Sequence, residues 1–237
     1  NVRANFCGTS FSFNSATGQE INHVFNGLYS SQPQALGMFL GGCKNFTFNS
    51  YNSGSSGAPH LNIAVGSIGM VFSAPNFEQD AGQLASGSEA ILCQSNSQSF
   101  FKAPSFAAPS SVDDTTYLFR VRNTAIVYID SPTINSADAN IRHILVQDDA
   151  VVYLDDPSGV FTKIDTVGNG RVIDVSGVNN NNWTVSGKVD AQAAGGFVPT
   201  GLNKPAVDYQ VEIDPSFTAD AIIAVSAQVT QVTSTSL

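Results

Sequence analysis

Short apolar runs of Val, Ile, Phe, Tyr and Leu recur along the chain, bounded by Gly, Asn, Ser, Asp and Pro. This is the pattern of strands and tight turns, and helical periodicity is missing throughout. Aligning the chain with itself reveals a long repeat. The segments HVFNGLYS, FTFNSYNS, MVFSAPNF, SFFKAPSF, IVYIDSPT and VVYLDDPS share an aromatic third position: Phe25, Phe48, Phe72, Phe101, Tyr128 and Tyr153. A second series, GMFLGG, NIAVGS, AILCQS, YLFRVRN and HILVQDD, accompanies it. Each repeat of about 25 residues thus holds at least two short strands, a tight corner and a loop of variable length. Antiparallel sandwiches also repeat strands, but they do not require like residues at one long period. The pattern predicts an all-β fold, a right-handed parallel β-helix whose equivalent strands stack at ~4.8 Å. The six aromatic residues are expected to form one interior column.

The repeat spans residues 1–176 as about six coils. Residues 177–237 form a second region, rich in Asn and Gly up to Pro205 and alternating apolar with small polar residues beyond Asp208. It reads as a β-rich cap or oligomerisation segment, since a solenoid must cover its last coil. Ile223, Val225, Ala227 and Val229 fall on one face of its final strand, and three copies closing around an axis would bury that face.

Composition narrows the partners. Hydrophobic residues make up 42% of the 237 positions and charged ones only 12%, enough apolar material for a core. The formal charge of −9 opposes nucleic acid and anionic membranes, and no apolar stretch is long enough for a spanning helix. Cys7, Cys43 and Cys93 are too few and too widely spaced for a disulfide framework or a zinc site, and read as buried small hydrophobes. No metal or cofactor is expected.

The stretches from Asn22 to Gly54 and from Ile68 to Gly82, with their Asn/Gly corners and the NFE after a strand, resemble coils of the pectate-lyase-like right-handed β-helix found in bacteriophage tailspikes and capsule depolymerases. The resemblance implies a homotrimer on a virion tail or outside the cell that binds a bacterial surface polysaccharide along the solenoid and often cleaves it. It extends to secreted polysaccharide lyases and hydrolases, and a structural or adhesin β-helix without a catalytic site is a third reading.

Candidate chemistry lies in three places. Asp130 and Asp155 fall in one column on adjacent coils, ~5 Å apart, near the carboxylate spacing of a retaining glycosidase. Asp156, Asp148 and Asp149 lie close by in sequence, and such crowding raises one carboxyl pKa. The alternative is that these aspartates close corners, as the Asp156-Pro157 turn signal suggests. A second acidic group is Glu78 and Asp80, with Glu89 one loop later; here the alternative is a solvated loop. Lyases of this fold rely on a basic residue as proton acceptor, and the resemblance leaves Lys102, Arg120 and Arg122 on neighbouring coils for that role; Arg120 and Arg122 share one strand face, and the alternative is that they pair with the surrounding acids. For sugar binding, Trp183 offers a stacking ring, with Arg122 and Glu89 as polar partners; the alternative is that Trp183 caps the open apolar core at the end of the solenoid. His23, His60 and His143 are too scattered for a triad or metal site.

Overall fold

A computed structural model describes residues 2–5, 8–14, 22–33, 35–55, 57–79, 83–135, 140–176, 184–191 and 209–210, with 2–5, 184–191 and 209–210 described as strands alone. In chain order the strands cycle through three sheets, and all their pairings are parallel. The chain is a parallel β-solenoid, and no helix occurs among the described residues.

Sheet 1 stacks β1 (Val2–Asn5), β4 (Leu28–Ser31), β7 (Asn52–Ser55), β10 (Asn76–Gln79), β13 (Ser105–Ala107) and β16 (Thr133–Asn135). Sheet 2 stacks β2 (Thr9–Asn14), β5 (Leu36–Gly41), β8 (Leu61–Ile63), β11 (Glu89–Gln94), β14 (Tyr117–Arg122), β17 (Arg142–Asp148) and β19 (Lys163–Gly168). Sheet 3 stacks β3 (Val24–Asn26), β6 (Thr47–Asn49), β9 (Met70–Ser73), β12 (Gln98–Lys102), β15 (Ile126–Asp130), β18 (Val151–Asp155) and β20 (Arg171–Asp174). Beyond these, β21 (Thr184–Ala191) pairs with both β19 and β20, joining sheets 2 and 3, and β22 (Tyr209–Gln210) pairs with β21.

Because side chains alternate along a strand, each sheet sends every second residue inward, and coil stacking then aligns like with like. Sheet 2 contributes the interior row Met38, Leu61, Ile91, Phe119, Ile144 and Ile164, all fully buried. Sheet 3 contributes Phe25, Phe48, Phe72 and Phe101, whose rings stack at centroid distances of 5.1, 4.8 and 4.9 Å. Sheet 1 adds the stacked pair Phe77 and Phe106. Parallel stacks of this kind gain ring contact beyond the area they remove from water.

The corner from sheet 3 to sheet 1 repeats a device. A residue with positive φ (Gly27, Ser50, Ala74, Ala103, Ser131) is followed by a buried one (Leu28, Tyr51, Pro75, Pro104, Pro132). Left-handed backbone costs roughly 1–2 kcal/mol for residues other than glycine. Here the turn keeps the N–H on the inter-coil ladder: Ala74, Ala103 and Ser131 donate to the carbonyls of Lys102, Asp130 and Asp155 at 2.7–2.8 Å.

The expected aromatic column holds for its first four members and fails for the last two. Phe101 pairs with Ile129, and Ile129 with Leu154, so these aliphatics continue the interior row. Tyr128 pairs with Phe100 and with Tyr153, and all three point outward. In the first pair of segments the corner proline follows the aromatic residue by three positions (Phe72 to Pro75, Phe101 to Pro104). In the second pair it follows by four (Tyr128 to Pro132, Tyr153 to Pro157), and one residue flips a side chain to the other face. The slip is common to both tyrosine coils, so Asp130 still pairs with Asp155.

Candidate functional site

The outer face of sheet 3 carries two parallel rows of interest. One runs Val71, Phe100, Tyr128, Tyr153 and Ile173. Tyr128 and Tyr153 stack at 4.6 Å with planes 7° apart, and Phe100 lies 6.1 Å from Tyr128 at 34°. Two aromatic rings cannot lie side by side in one plane at 4.6 Å, so the tyrosines stand up from the sheet and shingle, with their edges turned outward. The second row, two residues farther along each strand, runs Asn49, Ser73, Lys102, Asp130 and Asp155. β-Branched and aromatic residues suit these positions because they pack across strands on a half-solvated face.

Electrostatically this face carries Asp130 and Asp155 together with Lys102 and the exposed Arg171. The Asp155 carboxyl is raised above the usual carboxylate range, first by partial burial and then by the neighbouring Asp130 and Asp156 carboxylates. Asp130 accepts a 2.7 Å hydrogen bond from the Ser131 hydroxyl.

No family model, curated protein or solved structure matches this chain. The site therefore rests on its own geometry.

The other acidic candidates lie elsewhere. Asp156 is fully buried at the corner after β18, where its Oδ2 accepts the Phe161 N–H at 2.7 Å and its Oδ1 has no partner. Sheet 1 receives no strand there, and the turn closed by Asp156 instead brings Phe161 into the core. Glu78 is exposed on the outer face of sheet 1, level with Gly54 and Ala107, on a different side of the prism from Asp130. Asp80 and Trp183 lie outside the described residues. Asp148 and Asp149 belong to the corner between sheets 2 and 3: Asp148 accepts the Asn123 N–H at 3.0 Å, and Asp149 accepts from the Asn169 amide at 2.9 Å.

Glu89 and Arg122 sit on the outer face of sheet 2, in a self-paired polar patch. The Glu89 carboxylate lies 3.3 Å from Arg120 Nε; burial raises its pKa, and Arg120 and Arg122 oppose that rise. Arg122 donates to the Gln94 side chain at 2.7 Å, and Gln94 donates to Asn62 at 3.2 Å. Next to them Asp165 receives both Arg142, through Nε and Nη2, and the Tyr117 hydroxyl at 2.8 Å. Burial followed by Asp165 pushes the Tyr117 phenol up to about 12. Each acid here faces an arginine, Glu89 with Arg120 and Asp165 with Arg142, while Arg120 Nε and Arg122 Nε lie buried without a hydrogen-bond partner; the pairing of both acids suits a structural patch better than a reacting centre.

Among the described residues no cluster of His, Cys, Asp and Glu has the form of a metal site. The residues that sequence reasoning missed are Phe100, Tyr128 and Tyr153 as an outward ladder. The shifted proline phase was the signal that could have found them.

Proposed function

We propose that this β-solenoid is a polysaccharide-binding protein of the tailspike type, engaging a bacterial surface glycan on the outer face of sheet 3. The observation that carries the reading is the Phe100, Tyr128 and Tyr153 ladder running beside the Lys102, Asp130 and Asp155 row. Sugar recognition combines apolar contact with hydroxyl and carboxylate groups that bond to sugar hydroxyls; the outward ring edges of the ladder, whose faces stack on one another, and the carboxylates beside them lie in register for both. Strands stack at ~4.8 Å, about the length of one pyranose unit, so a glycan lying along the axis meets one rung per sugar. The reading extends to a homotrimer acting on a virion tail or outside the cell. Its trimer contacts, centred on Ile223 to Val229, lie outside the described residues.

Hydrolysis is the second reading, favoured by one observation: Asp155 holds its proton to a higher pH than an ordinary carboxyl while lying in register with Asp130. A general acid needs such a shift. The test is incubation of the intact chain with bacterial capsules and lipopolysaccharides, reading binding by calorimetry and cleavage by reducing ends and by the absorbance of unsaturated uronates. The expected result is binding to at least one polymer that a Tyr128→Ala/Tyr153→Ala variant weakens at least about tenfold. Binding that survives this double truncation would place the glycan elsewhere on the molecule.

A further inference from the structure

We infer that Asn169 is a site of spontaneous deamidation, at which the chain converts its own side-chain amide to a carboxylate and loosens its last coil boundary. Asparagine before glycine is the reactive pair, because glycine has no Cβ to shield the backbone nitrogen that attacks. The chain holds two such pairs, Asn26-Gly27 and Asn169-Gly170, and both asparagines are exposed. The fold treats them differently. Asn26 ends β3, the Gly27 N–H donates to the Asn49 carbonyl at 2.9 Å in the inter-coil ladder, and the Asn26 side-chain oxygen accepts from the Asn49 amide at 3.0 Å. Asn169 instead stands in the turn between β19 and β20, after Gly168 at φ 71°. There the Gly170 N–H bonds within the turn, to the Val167 carbonyl at 3.3 Å, long beside the usual ~2.9–3.0 Å.

The Gly170 nitrogen, having lost its proton to solvent hydroxide, attacks Asn169 Cγ. A C–N bond forms, the Cγ–Nδ2 bond breaks, and the amide nitrogen leaves as ammonia with a proton from water. Water then opens the succinimide at either carbonyl, giving aspartate or isoaspartate. A strand tied into a ladder opposes the swing that ring closure needs, whereas an exposed turn on a long hydrogen bond permits it; misplacing a nucleophile by about 1 Å costs on the order of 100-fold. The consequence lies in position. The Asn169 amide donates to Asp149 Oδ1 at 2.9 Å, across the boundary between successive coils. After the reaction that donor is gone, and a new carboxylate faces Asp149 with Asp148 next in the chain. Like charges so placed repel, and salt screens the repulsion. Isoaspartate also lengthens the backbone, where Gly170 packs so closely that a Cβ would collide with the Val146 carbonyl.

The experiment incubates the intact chain in mildly alkaline buffer, folded and in urea, and follows the peptides around both asparagines by digestion and mass spectrometry. In the folded chain Asn169 is expected to convert at least about tenfold faster than Asn26, with a rate that rises with pH. In urea the two rates should converge to within about threefold, because the ladder that protects Asn26 is gone. Asn169→Gln keeps an amide but needs a larger ring, and is expected to stay unmodified over the same period. Asn169→Asp carries the product charge from the start, and is expected to lower the urea midpoint at low salt more than at high salt. Adding Asp149→Asn should recover at least about half of that shift. Equal rates at the two sites in the folded chain, or faster conversion at Asn26, would overturn the assignment. An unchanged midpoint in Asn169→Asp would overturn the link to the coil boundary.

Discussion

A single residue of phase separates a core ring from a surface ring in this chain. Phe72 is fully buried between Phe48 and Phe101, whereas Tyr128 is half-exposed although its segment reads almost alike. Truncating Phe72 to Ala is expected to cost ~3–5 kcal/mol in urea unfolding, and truncating Tyr128 to Ala no more than about 1–2 kcal/mol. Equal losses at the two positions would contradict the register. The carboxylate pair was legible despite the slip, because Asp130 and Asp155 carry the same offset. Whether the pair reacts is a separate matter. Wherever the chain cleaves a glycan, Asp155→Asn or Asp130→Asn should slow turnover at least ~100-fold with binding retained, since proton transfer by a placed carboxyl contributes that much. Unchanged turnover in both would leave the pair with binding alone. Gly37 shows a demand that spacing does not reveal: a Cβ there would collide with the His60 carbonyl and press on Ser53 Oγ and Tyr51 Oη.

Strands announce themselves in proportion to the apolar residues they bury. The strands of sheets 2 and 3 were readable because Val, Ile, Leu and Phe dominate their inward positions. Sheet 1 was not, since its strands are three or four residues long and read NSGS, SFA or TIN. Their inward residues Ser30 and Ser53 are polar and buried, and Ser53 Oγ sits 2.9 Å from the His60 ring nitrogen. Polar interior positions are tolerated where such partners exist, and they leave no hydrophobic alternation to detect. Paired charges across strands are equally silent. Arg142 on β17 and Asp165 on β19 are 23 residues apart, yet parallel stacking brings them into a two-pronged ion pair. Both are largely buried, so Asp165→Asn should destabilise the chain by ~1–3 kcal/mol, through an Arg142 and a Tyr117 hydroxyl left with a weaker acceptor. A much smaller loss in thermal or urea unfolding would mean that water replaces the pair.

At the scale of the whole molecule a solenoid has only nearest-neighbour contacts, so its stability depends on each coil boundary. The boundary between β17 and β19 is unusual because no sheet 1 strand separates the coils there. His143 takes part of that load: its Nδ1 accepts the backbone N–H of Thr162 at 2.8 Å and of Lys163 at 3.2 Å, and its ring lies against Phe161. Burial, and next the charges of Lys163 and Arg142, lower its pKa to about 4; burial alone lowers that of His60 to about 3. A histidine whose folded pKa lies below its unfolded value of ~6.5 contributes no penalty above that pH. As pH falls from about 6.5 towards 4 the unfolded chain takes up the proton first, and stability is lost through that window. For His143 the loss is on the order of a few kcal/mol, because protonated Nδ1 would face two N–H donors. His143→Asn offers a carbonyl oxygen in place of Nδ1 and does not titrate. Its urea midpoint should therefore fall less steeply than that of the natural chain between pH 6.5 and 4.5, and hydrogen exchange in β19 and β20 should gain less from lowering the pH to 5 in the variant than in the natural chain, whereas β8, next to His60, should respond alike in both. Identical slopes in the two proteins would show that the acid-sensitive boundary lies elsewhere along the stack.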